Sequence, residues 1–138
     1  MSITSKRDRS RGKETLKMPQ YMLLLGGADL DKRSGNAALA PEMFQLFSAW
    51  LGTLREGGHY LSSHKLHDHT GARLTVRGGQ VVEGPFIETK EAVGGAMLIQ
   101  ADSLERAIQL ARRCPTLDLQ NGFVEVRVVE EVKRPGTT

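Results

Sequence analysis

The densest group of chemically useful side chains lies in Glu83–Glu91, which reads EGPFIETKE. Gly84-Pro85 is a tight, rigid turn signal, and Phe86 offers an apolar anchor beside it. Glu88, Thr89, Lys90 and Glu91 then place two carboxylates, a hydroxyl and an ammonium within four positions, enough to hold a polar ligand or to pair an acid with a base. The plain alternative is a solvated loop whose charges pair locally and contribute little. All four histidines fall in a second group, His59, His64, His67 and His69, with Asp68 among them. Imidazole gives and accepts protons near neutral pH and is a common metal ligand. However, His59 and His64 differ by an odd number and would point to opposite faces of a strand. The His67-Asp68-His69 stretch lacks a third strong ligand at a diagnostic spacing. No metal or other cofactor is expected, and His64 is the histidine best placed for a cleft. Arg77 and Arg127 each either bind an anion or pair with Glu83 or Glu125 nearby.

Cys114 is the only cysteine, so the fold holds no internal disulfide. It stands before Pro115 at an expected helix end and reads as a buried, inert thiol. The glycine pairs Gly78-Gly79 and Gly94-Gly95 do not open a helix after a strand and are not phosphate loops.

These groups are held by a chain of 138 residues, long enough for one ordinary domain. The net charge of +3 is unevenly spread. Residues 1–17 hold six basic residues against two acidic ones, and the remainder thirteen against fourteen. The basic character therefore belongs to the first 17 residues, which have few apolar groups to bury and are expected to be disordered. Met18 stands directly before the first apolar run and reads equally well as the start of translation. A near-neutral domain of residues 18–132, followed by a flexible stretch at 133–138, gives no dedicated nucleic-acid face. The sequence has no apolar run long enough to span a membrane and no apolar signal core, and the expected location is the cytoplasm.

The elements follow from hydrophobic periodicity. Tyr21–Leu25 is a continuous apolar run closed by Gly26-Gly27, a central strand, and residues 28–38 form a polar loop. Pro41 opens a helix whose stripe is Met43, Phe47, Trp50, Leu51 and Leu54, with Gly57-Gly58 closing it. A strand over 59–66 follows, then alternation over 72–77, the Gly78-Gly79 turn and a returning strand over 80–83. Gly95–Ile99 is a second central strand. Asp102 is expected to cap the next helix, with Glu105 completing a capping box, Leu104, Ala107, Ile108 and Ala111 inside, and Pro115 ending it. Val124, Val126 and Val128 alternate as an edge strand. Strand, helix, strand, hairpin, strand, helix, strand is an α+β order: the ferredoxin-like split βαβ plait with a β-hairpin insert. Its helices cover one sheet face, and a second copy of the chain is the expected cover for the other.

The EGPFIETKE segment followed by AVGG resembles the signature of the DGPF proteins in the YCII-related superfamily, with Glu83 where the motif has aspartate. Pro41-Glu42-Met43, Thr75-Val76-Arg77, Ala101-Asp102-Ser103-Leu104, Arg113-Cys114-Pro115 and Val124-Glu125-Val126-Arg127 fit in order, and the likeness spans about residues 19–130. The resemblance implies a dimeric α–β barrel with clefts near the interface. The matching pieces put Glu83, Phe86, Glu88, Lys90, Glu91 and Arg77 forward as ligand-binding residues and Lys90 and Glu91 as catalytic candidates; His64, outside the motif, joins them from its strand position. The resemblance implies no known reaction; the leading expectation is a protein that binds an unidentified small molecule, or a minor enzyme with acid–base character of lyase or hydrolase type. A histidine on the first helix, used for that chemistry elsewhere in the superfamily, is missing from PEMFQLFSAWLGTLRE. Whether the chain is an enzyme at all is thus left open. The rival reading is a non-catalytic regulatory partner of extracytoplasmic-function sigma factor machinery.

Overall fold

A computed structural model describes residues 17–27, 41–67, 70–84 and 93–136. The expected basic tail, the polar loop after the first strand and most of the EGPFIETKE segment lie outside these residues. In chain order the elements are β1 (Gln20–Gly26), α1 (Pro41–Glu56), β2 (Tyr60–Lys65), β3 (Arg73–Arg77), β4 (Gln80–Gly84), β5 (Val93–Gln100), α2 (Leu104–Ala111), a 3₁₀ turn (Pro115–Asp118) and β6 (Phe123–Val128).

The main sheet is antiparallel with the order β2-β5-β1-β6, and β3-β4 forms a separate two-stranded sheet. This is the split βαβ plait. Its two central strands, β1 and β5, are the two continuous apolar runs of the sequence. Alternation along β1 decides what each face meets. Tyr21 and Leu23 are buried and pair with Ile99 and Met97, which are buried too. Trp50 and Leu54 from α1 and Ala107, Leu110 and Ala111 from α2 join them in one apolar core that also includes Cys114. Both helices therefore lie on the same face of the sheet. Met22, Leu24, Ala96 and Leu98 point the other way and are only half-buried, and among the described residues no helix covers them.

The ends of the elements have local causes. At the end of α1, Gly58 takes φ 78°, the left-handed region open to glycine. His59 N–H then donates to Leu54 O at 2.8 Å and Gly58 N–H to Arg55 O at 3.1 Å. Together these satisfy the last carbonyls of the helix in a Schellman arrangement. The β3–β4 turn has positive φ at both Gly78 and Gly79, 55° and 79°, the mirror-image turn whose twist matches a hairpin.

Two expectations about α2 need correction. Its cap is Ser103, one residue later than Asp102: Ser103 is extended and its hydroxyl accepts from Arg106 N–H at 3.1 Å. Leu104 is consequently the first helical residue and points outward, so the inner face is completed by Leu110 instead. The helix also stops before Pro115. Ala111 is its last residue, and Pro115 opens the 3₁₀ turn, where a missing N–H and a fixed φ suit a first helical position.

Candidate functional site

The uncovered sheet face brings polar side chains to a small apolar floor. Strand register sets two rows across it. One row runs Ser62, Leu98, Met22, Arg127 and the next His64, Ala96, Leu24, Glu125. Leu98, Met22, Ala96 and Leu24 make the floor; Ser62 and His64 stand on the β2 edge, Glu125 and Arg127 on the β6 edge. Neighbouring strands are about 4.8 Å apart, so the two polar edges are separated by about 14 Å. Ala96 keeps the floor low directly beside His64.

The β6 edge is a fixed pair: Arg127 donates to Glu125 Oε2 at 3.1 Å along the same strand, with both side chains more than half exposed. At that exposure the pair contributes little stability. On the β2 edge the register shifts between Tyr60 and Ser62, leaving Leu61 as an extra residue. The shift puts Tyr60 and Ser63 on one side, where Tyr60 Oη and Ser63 Oγ are 2.7 Å apart and the Arg55 guanidinium lies 4.6 Å from the Tyr60 ring centroid. Alternation then sends Ser62 and His64 to the uncovered face.

The other histidines are used differently. His59 Nδ1 donates to Gln100 O at 2.9 Å, Gln100 N–H returns a bond to His59 O at 2.8 Å, and Gln100 Nε2 reaches Gly58 O at 2.9 Å. His59 thus ties the α1–β2 turn to the end of β5. His67 Nδ1 accepts from Thr70 N–H at 3.1 Å. Asp68 and His69 lie outside the described residues, as do Phe86, Glu88, Lys90 and Glu91. Glu83 and Arg77 stand on the hairpin, but not together. Glu83 is opposite Leu74 and Arg77 opposite Gln80, and the alternation places the two on opposite faces of the ribbon. Cross-strand pairing of Arg77 with Glu83 is thereby replaced by an Arg77–Gln80 pair of positions.

Cys114 is buried, as its sequence setting suggests. Burial pushes its thiol above the ordinary value and Asp118 adds to this, while hydrogen bonds from Thr116 act in the opposite direction. The folded state therefore holds the neutral thiol more firmly than the unfolded chain does. Its contribution to stability is fully present below the unfolded value of about 8.5–9 and is lost as pH rises through the higher folded one. Comparing the native chain with Cys114→Ala by urea melts at pH 7 and pH 10 should show the difference between them changing in that direction. A difference that stays flat across this range would contradict the burial argument.

Ser62 and Ala96 were not singled out by the sequence alone, and Glu125 only as a pairing partner for an arginine, which it is for Arg127; the signal that brings them beside His64 is strand register. The fold and this face define an α+β plait domain with a polar-rimmed sheet face. The chain belongs to the YCII-related domain family, whose model matches residues 32–133. No curated protein matches the chain closely enough to carry a function across. Among the described residues no helix is long and apolar enough to cross a membrane.

Proposed function

We propose that this chain binds a small polar molecule on the uncovered sheet face, with a second copy of the chain closing the site and His64 available for acid–base chemistry. The observation that supports the reading is the floor of Leu98, Met22, Ala96 and Leu24 held between Ser62 and His64 on one edge and Glu125 and Arg127 on the other. Ligand sites combine an apolar surface with a few fixed polar groups in this way. A half-buried apolar face is also an ordinary signal for association. The EGPFIETKE segment supports placement with the DGPF branch of the family. In the sequence it ends two residues before Val93, where β5 begins.

The rival reading, a regulatory partner without catalysis, draws support from the missing histidine on α1. The two separate by experiment. Small organic acids and amines are screened by ligand-observed NMR against the native chain and against His64→Ala. The site reading expects hits on the native chain weakened about tenfold or more by His64→Ala, with a melting temperature changed by no more than a degree or two, because His64 is exposed. Hits indifferent to His64→Ala, or none at all, would favour the regulatory role.

A further inference from the structure

Tyr60 and Ser63 differ by an odd number, and in an unbroken strand their side chains would point to opposite faces of the sheet. The register shift at Leu61 changes that. A bulge inserts one residue and re-aims the side chains that follow it. Tyr60 stands opposite Ile99 and Ser63 opposite Met97, both buried on the helix side, so the two hydroxyls lie on that side as well. They come within 2.7 Å of each other at the outer margin of the core, on half-buried residues. The last turn of α1 adds a third group, the exposed Arg55, whose guanidinium lies over the Tyr60 ring at 4.6 Å from its centroid. This notch is on the other side of β2 from Ser62 and His64 and shares no residue with the uncovered face.

The donors these groups have left over define a ligand. A tyrosine and a serine each carry one O–H, and the bond between them uses only one of the pair. The other O–H is left to donate elsewhere. Arg55 presents a fork of N–H donors, more than one ring face can occupy. Among the described residues no carboxylate forms an ion pair with it. The notch thus joins a positive charge and spare donors from two elements, the combination that holds an anion. A carboxylate has two oxygens, one for the guanidinium and one for the hydroxyl. A phosphate would leave a further oxygen to water.

We propose that Arg55, Tyr60 and Ser63 form a binding notch for the carboxylate of a small organic acid, on the helix side of β2. The inference is independent of the uncovered-face reading, because the two sites point to opposite sides of one strand. The probe is acetate, titrated into the isotope-labelled chain at constant ionic strength with chloride as the balancing anion. Saturable NMR shifts of the Tyr60 and Ser63 amides and of the Arg55 side-chain N–H are expected. Either hydroxyl can be the outward donor, so both are removed together. Tyr60→Phe with Ser63→Ala keeps the ring under the guanidinium and leaves no unpaired hydroxyl behind, which spares the fold. Arg55→Gln removes the charge at an exposed position. Each of these two chains should bind acetate about fivefold or more weakly, since each loses a bond to a charged group. His64→Ala should bind it as the native chain does. Shifts that never saturate, or equal affinity in the native chain and both variants, overturn the notch. Loss of acetate binding in His64→Ala, with Arg55→Gln unaffected, overturns it too and leaves the uncovered-face reading standing. Tighter binding of inorganic phosphate than of acetate overturns the assignment to a carboxylate.

Discussion

Replacing Trp50 by alanine is expected to lower stability by about 3–5 kcal/mol, a large part of what a domain of this size holds. Trp50 is buried between α1 and the sheet, in edge contact with Phe47 at a centroid distance of 6.4 Å. Its indole N–H also donates to Leu110 O at 3.1 Å, joining the first helix to the last turn of the second. Trp50→Ala removes both the packing and the donor. Trp50→Phe keeps most of the packing and leaves the Leu110 carbonyl without this partner, which should cost about 1–3 kcal/mol. Chemical denaturation of the three chains should give that order, with the alanine variant lowest. Equal midpoints for the phenylalanine and alanine variants would show that the hydrogen bond, and not the packing, dominates.

Gly122→Ala should cost about 3 kcal/mol although its backbone is not left-handed. An added Cβ would collide with the Thr116 carbonyl and stand 3.2 Å from Leu119 O. These are backbone atoms of the 3₁₀ turn and its exit, and Gly122 N–H is itself bonded to Leu119 O at 3.0 Å. No side chain can rotate to make room, so the turn must shift and carry the start of β6 with it. Gly52 supplies the contrast. It is inside α1 with nothing within 4 Å of a built Cβ, and Gly52→Ala should stabilise by about 0.5–1 kcal/mol. Thermal melts of the two variants should move in opposite directions. Movement in the same direction would mean that the close approach at Gly122 is relieved cheaply.

The architecture was legible because its signals are redundant. Tyr21–Leu25 and Gly95–Ile99 are apolar on both faces and became the two central strands, while Gly78-Gly79 fixed the hairpin. The errors lie where two neighbouring residues compete for one role. Asp102 and Ser103 are both good caps, and only the position of the Arg106 N–H decides that Ser103 makes the bond. Pro115 looks alike whether it ends one helix or opens the next turn. The candidate face was harder to read. His64 was found from its strand and the Arg127–Glu125 pair from its spacing, but that they frame one face was not, because Ser62, Ala96 and the far edge join His64 by register alone. The extra residue at Leu61 also resets the alternation between His59 and His64, and no residue type there announces it.

The position of β1 in the sheet bears on how the chain is made. It leaves the ribosome before every other described element, yet its two neighbours are β5 and β6, the last strands synthesised. At about 5–20 residues per second, roughly a hundred residues separate its emergence from that of β6, an interval on the order of 5–20 s. Throughout it Tyr21–Leu25 is an apolar, uncharged segment of the kind that pairs readily with other chains. The native sheet closes only after β6 has been synthesised. Release of a nascent chain stalled before Val93 should therefore yield material that binds chaperones or aggregates, whereas release after Val128 should yield folded protein.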